Sequence, residues 1–265
     1  MTPARRRFGW AALAGALLGG ALATLVYAPA RWVDLALQRA SAGQLRLLHP
    51  QGTLWQGSGT LWLRGDGGAL TLPGPLQWTL HPTLTGAAQG LAWTLHLPCC
   101  APQPLQGFVG RTAGATWLQT EAWQAALALD MLQALGAPWN TLGLQGRAVL
   151  DLQPMRWPLG GTASAPAWQV EVVVLDVASA ASPLRPLGSY HLTFAGQASQ
   201  PPRMTVTTLH GDLQLQAEGG WASGRLYLRG VAEANPQRLD ALSNLLNLLG
   251  RRDGTRAHLS IGSPP

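Results

Sequence analysis

Residues 44–62 read Gln44-Leu-Arg-Leu-Leu-His-Pro-Gln-Gly-Thr-Leu-Trp-Gln-Gly-Ser-Gly-Thr-Leu-Trp62. Leu45 and Leu47 alternate with the polar Gln44 and Arg46, a period of two that puts the leucines on one face of an extended strand. The tetrapeptide Gly52-Thr-Leu-Trp55 then recurs as Gly59-Thr-Leu-Trp62, with Gln56-Gly57-Ser58 between the copies. Two apolar runs separated by a short glycine-bearing segment predict a β-hairpin that turns at 56–58.

The same period governs most of the chain behind it. Leu76-Gln-Trp78-Thr-Leu80-His-Pro82 is echoed by Leu91-Ala-Trp93-Thr-Leu95-His-Leu97, so Trp78 and Trp93 share a face with leucines and belong to the core or a sheet face. Residues 168–177 (WQVEVVVLDV) are apolar on both sides apart from Glu171 and Asp176, which predicts a central strand. Segments 190–194, 204–208, 213–217 and 226–229 alternate cleanly, as strands of an antiparallel sheet with one wet face do. Helical spacing is confined to short stretches. Residues 31–40 form an amphipathic helix ended by Gly43. Thr120 is a candidate N-cap for a helix over 121–135, closed by Gly136. Asn235 caps a second, with Pro236 at its first position, leucines at 239, 242, 245, 246, 248 and 249, and Gly250 as its C′ residue. Each of the last two helices is followed by a strand, which hints at two similar halves, 44–152 and 153–262.

Ahead of the strands lie twenty uncharged residues, 8–27, rich in Ala, Leu and Gly. About twenty apolar residues span the hydrocarbon layer of a bilayer. Arg5, Arg6 and Arg7 precede them, so the positive-inside rule leaves the N-terminus cytoplasmic and exports the rest. Tyr27 and Trp32 fall where an outer aromatic belt would sit. The expected organisation is a cytoplasmic basic stub with a transmembrane anchor, 1–30, and a β-rich periplasmic domain, 31–265, single-pass in the inner membrane. The rival is a cleaved signal peptide, for which Ala21-Leu-Ala23 and Ala28-Pro-Ala30 offer small residues at cleavage spacing.

A net charge of +6 does not imply nucleic acid as a partner. All eighteen basic residues are arginine, Ile261 is the single isoleucine, and the arginines are dispersed rather than gathered on one segment. Only 11% of residues are charged, well below a soluble enzyme's usual share. The chain has no Walker loop, GxGxxG, GxSxG or HExxH, and the six histidines (49, 81, 96, 191, 210, 258) do not cluster in sequence. His81 and His96 close equivalent Trp-Thr-Leu-His segments and read as strand-end residues. No catalytic, cofactor-binding or metal-binding residue is assigned. Cys99-Cys100 reads as structural thiols or a vicinal disulfide. Arg251-Arg-Asp-Gly-Thr-Arg256 is a charged turn between the last helix and the last strand. Arg251, Arg252 and Arg256 are its candidate docking residues, for a protein partner or for lipid headgroups.

Four short motifs, in order, resemble type II secretion system protein N, also called general secretion pathway protein N. They are Gly52-Thr-Leu-Trp-Gln-Gly57, Leu97-Pro-Cys-Cys100, Leu132-Gln-Ala-Leu-Gly136 and Leu248-Leu-Gly-Arg-Arg-Asp-Gly254, behind a basic N-terminus and a single anchor. The resemblance implies an accessory subunit of the inner-membrane platform that helps folded proteins cross the outer membrane, with no catalytic residues and no cofactor. It implies other platform subunits as partners, particularly those that link to the outer-membrane secretin. The family also resembles the AsmA-like group of curved β-sheet proteins. That implies a mainly β fold, a transmembrane helix followed by a curved antiparallel sheet with two or three short helices. It also implies an alternative role in binding or transferring lipid.

Overall fold

A computed structural model of the chain describes residues 4–65, 67–83, 88–112, 115–136, 139–159, 167–197, 200–222 and 225–262. It opens with helix α1 (Ala4–Val26), twenty-three residues or about 35 Å long. Its described leucines are exposed, Leu17 and Leu18 at 68%. Side chains of residues 4–12 and 14, the three arginines included, lie outside the described set. Among the described residues, no helix is long and apolar enough to cross a membrane. Helix α2 (Arg31–Ala40) follows after four residues.

The rest is mainly antiparallel β, as the period-two pattern predicts. Strands β1 (Leu45–Gly52), β2 (Gln56–Arg64), β3 (Ala69–Thr83), β4 (Ala88–His96), β5 (Leu105–Thr112) and β6 (Ala115–Thr120) form an up-and-down meander. Next come β7 (Trp123–Ala128), a 3-10 helix (Leu129–Leu135), α3 (Trp139–Leu142), β8 (Gln145–Leu152) and β9 (Met155–Pro158). The chain continues through β10 (Trp168–Ala178), β11 (Gly188–Gln197), β12 (Gln200–Gly211), β13 (Leu213–Ala222) and β14 (Arg225–Ala234). A 3-10 turn (Pro236–Arg238), α4 (Leu239–Leu249), β15 (Gly250–Asp253) and β16 (Arg256–Ile261) complete it. One sheet runs β1-β2-β3-β4-β5-β6-β9, seven strands; the other runs β15-β16-β14-β13-β12-β11-β10-β8-β7, nine strands.

The sheets are joined by a two-stranded ribbon. β6 pairs with β9 (Thr120 opposite Met155), and β7 pairs with β8 (Trp123 opposite Leu152). One end of the ribbon is bonded to β5 and the other to β10. A division at 152/153 is therefore wrong. Residues 123–152 pair into the second sheet, and the handover falls at 121–122 and 153–154.

Three local expectations are also corrected. The first hairpin turns at Thr53, Leu54 and Trp55, not at 56–58. Gly52 supplies the left-handed backbone (φ +87°) that ends β1. Gly57 and Gly59 lie inside β2, where a Cβ would stand 2.5 Å from the Trp78 ring and 2.6 Å from Leu47 Cγ; they make room for large neighbours rather than a turn. The helix expected over 121–135 is strand β7 followed by a 3-10 helix, because Trp123, Ala125 and Leu127 face one way in register with β8. Thr120 caps nothing there; its hydroxyl accepts the Met155 amide across the ribbon (3.3 Å). Gly250 is not a left-handed C′ residue. Its backbone is extended and begins β15, where a Cβ would collide with the His258 carbonyl.

The last helix is capped as predicted. The Asn235 side chain accepts from the Gln237 amide at 3.1 Å and donates to Asp212 at 2.6 Å. Leu242, Leu245 and Leu246, spaced as one face of α4, are at most 2% exposed and pack on Leu213, Ala217, Ala232, Ala257 and Leu259. The second sheet thus has a covered face and a real core. Tyr190 lies in it, its hydroxyl donating to the Leu213 carbonyl (3.0 Å), and burial pushes its phenol pKa upward. The first sheet buries far less: Ala30, Leu47 and Trp78 form its core cluster. On the same face, by register, Leu91, Trp93, Val109, Leu118 and Trp157 are only half-buried.

Since Gly59 lies against Leu47, Gly59→Ala should cost about 1–3 kcal/mol by overpacking. Combined with Leu47→Ala, it should cost clearly less than the two single losses added. Denaturant unfolding of the four proteins measures this; strict additivity would show that the contact is not limiting.

Candidate interaction surfaces

Asp34 ties the N-terminal helices to the first sheet. It is the one acidic residue of α2, 9% exposed, on the side facing β1. Its Oδ1 accepts the Leu47 amide at 2.7 Å, and its Oδ2 accepts Gln38 Nε2 at 2.6 Å and Arg46 Nη2 at 3.4 Å. β1 is an outermost strand, so that amide points away from β2 with no ladder partner. The carboxylate closes it. Open strand edges template unwanted pairing, and covering them is a recurrent remedy.

The end of α1 is held in a second way. Trp55 Nε1 donates to the Leu25 carbonyl (2.9 Å), the Leu54 amide to Ala28 (2.7 Å), and the Ala30 amide to Gly52 (3.2 Å). Ala28 and Ala30 are 0% and 2% exposed. Trp78 Nε1 supports the same loop from below by donating to the Leu54 carbonyl at 3.1 Å. The passage from α1 into the domain is a bonded joint, not a loose tether.

The three docking candidates sit at the far edge of the second sheet, where β15 is the outer strand. Arg251 stands opposite His258 and is exposed. Arg252 stands opposite Ala257 and donates through Nε to the Gly254 carbonyl (2.9 Å), bracing the turn. Arg256 pairs with Glu233 on β14 at 3.1 Å. Arg252 and Arg256 are thus engaged in local structure, and Arg251 presents its charge outward.

Among the described residues, no three of His, Cys, Asp and Glu come close enough to hold a metal ion. His191 lies 3.4 Å from Glu171, both partly exposed on the polar face of the second sheet. A depression of about 550 Å³ runs past Gln51, Gly57, Gln77, Trp78 and Thr94, with His96 as its titratable group. Cys99 and Cys100 are joined as a vicinal disulfide in the loop between β4 and β5. This loop reaches the second sheet: the Cys100 carbonyl accepts the Ala126 amide (2.7 Å), and Gln103 accepts Trp123 Nε1 (2.9 Å). It is a joint between sheets.

A family model for type II secretion system protein N matches residues 43–258. The chain belongs to that family. The match begins just behind α2 and takes in β1 through the first half of β16, including the ribbon, the disulfide loop and the arginine hairpin. No curated protein and no solved structure matches. Family membership gives the protein an accessory role in type II secretion, as a structural component rather than a known enzyme, and implies contact with other components of that system.

Asp34 escaped the reading of the sequence, since one acid in an amphipathic helix usually faces water. Asp34→Ala should destabilise the protein by about 1–3 kcal/mol, because it strands the Leu47 amide. Arg46→Ala should cost less than about 1 kcal/mol, its side chain being 46% exposed. Thermal unfolding compares them; equal losses would mean that the ion pair, not the edge cap, is what matters.

Proposed function

We propose that the protein is a single-pass accessory subunit of the inner-membrane platform of the type II secretion system. In this reading α1 anchors it with the N-terminus in the cytoplasm, and the β-rich domain stands in the periplasm. The family match over 43–258 carries the reading. The exposed leucines of α1 and its bonded attachment at Ala28 and Ala30 support an anchor retained as part of the fold. Partners are other platform subunits, including those reaching toward the secretin. The docking edge is the β15 hairpin, where a short outer strand with Arg251 exposed suits an acidic or extended segment of a partner.

A second reading, an AsmA-like protein that binds or transfers lipid, is favoured by the half-covered apolar face of the first sheet at Leu91, Trp93, Val109 and Leu118. Photocrosslinking in cells separates the two. With a photoreactive residue in place of Arg251, the expected product is an adduct with another secretion subunit. Arg252→Glu should reduce its yield several-fold. Adducts with lipid alone, at Arg251 and at Trp93 alike, would overturn the platform reading in favour of the second.

A further inference from the structure

Helix α2 has two unlike sides. Val33, Asp34, Leu37 and Gln38 face the first sheet. The outward side carries Arg31, Trp32, Leu35, Ala36 and Arg39, all exposed. Trp32 is 40% and Leu35 44% exposed, three residues apart and therefore on one stripe. Beyond residue 27, the other large hydrophobic side chains this exposed among the described residues are Leu159, Leu209 and Leu248, scattered over the fold. The only acid of α2 is turned inward and bonded to β1. What remains outside is an aromatic and a leucine flanked by two cations.

The place of this stripe selects its partner. Four residues separate α1 from α2, a reach of at most about 14 Å. That reach is not free, because Ala28 and Ala30 are buried and bonded to the β1–β2 loop. Tyr27, 77% exposed, marks the junction. If α1 ends at the outer surface of a bilayer, Trp32 and Leu35 are held in or beside its headgroup layer. A short helix with Trp and Leu on one side, edged by arginines, matches the chemistry of a helix lying in a membrane interface. Anionic headgroups answer the two arginines.

We infer that the outward side of α2 rests on the bilayer that holds α1, with Trp32 and Leu35 at the acyl boundary and Arg31 and Arg39 on lipid phosphates. This deepens the anchor reading above and rests on it. The inward side of the same helix caps β1 through Asp34, so the lipid contact sets the tilt of the first sheet against the membrane.

The test uses the full chain in vesicles of phosphatidylcholine with and without phosphatidylglycerol, carrying a photoreactive residue at Leu35, Leu17 or Leu209. Lipid adducts are expected at Leu17 and Leu35 and not at Leu209. Arg31→Glu with Arg39→Glu should lower the Leu35 adduct at least several-fold in phosphatidylglycerol vesicles and leave the Leu17 adduct unchanged. Lipid captured at Leu17 but not at Leu35 overturns this inference and leaves the anchor standing. A covalent dimer through Leu35 also overturns it, in favour of a second copy of the chain. Lipid captured at neither position overturns the anchor reading itself.

Discussion

The ribbon made of residues 115–128 and 145–158 is the constraint on which both sheets depend. Its two strands pair on either side of a break at 121–122 and 153–154, and across that break the strand that continues the sheet changes from β6 to β8. The break has a chemical cause. Pro154 has no amide to offer, so the ladder cannot run through 153–154. The neighbouring groups find other partners: the Glu121 amide donates to Gln106 (3.0 Å) and the Met155 amide to the Thr120 hydroxyl. β7 becomes the outermost strand of the second sheet, and the 97–104 loop covers part of it through Cys100 and Gln103. The vicinal disulfide thus lies in the segment that latches one sheet to the other. The 3-10 helix adds a second bridge, with Leu129 in the core of the second sheet and Leu135 against Gly65 of the first.

The two sheets then have different fates. The second is completed by α4, whose three buried leucines close its apolar face, and its stability comes from ordinary core packing. At about 1.5–3 kcal/mol for each fully buried leucine, this helix is a main contributor to folding. Among the described residues, α2 covers one end of the first sheet, and Leu91, Trp93, Val109, Leu118 and Trp157 farther along the same face remain half-buried. An apolar face left partly open on a folded domain is suited to contact with a partner or ligand. The fold is thereby divided into a self-sufficient half and a half suited to binding.

Much of this was legible in the residues. Alternation located most strands, and Asn235-Pro236 announced the last helix because side-chain capping and a fixed φ act locally. The errors arose where a neighbour distant in sequence decided the outcome. Gly57 and Gly59 look like turn formers until Trp78 and Leu47 are brought against them. The alanine-rich run from Glu121 to Leu135 looks helical until β8 is alongside, where register outweighs a weak intrinsic preference. Asp34 could not be read at all, since nothing near it in sequence predicts the amide it serves thirteen residues later. Of the three candidate docking arginines, Arg256 pairs with Glu233 and Arg252 bonds the Gly254 carbonyl, contacts that the sequence does not announce.

The joint at Ala28 and Ala30 bears on one of the two candidate cleavage motifs, Ala28-Pro-Ala30; the other, Ala21-Leu-Ala23, lies within α1. A peptidase needs an extended, reachable chain. In the folded protein Ala28 is fully buried, and the backbone of both alanines is bonded to the β1–β2 loop. Folding therefore protects this site. Cleavage after Ala30 before folding would remove the Ala28 carbonyl that receives Leu54 and the Leu25 carbonyl that receives Trp55. The loop carrying Gly52-Thr-Leu-Trp55 would lose two of the groups that shape it. The tetrapeptide that misleads as half of a hairpin repeat is better understood as a clasp. Its glycine ends a strand, its tryptophan indole bonds the last turn of α1, and its leucine amide bonds the segment that leaves it.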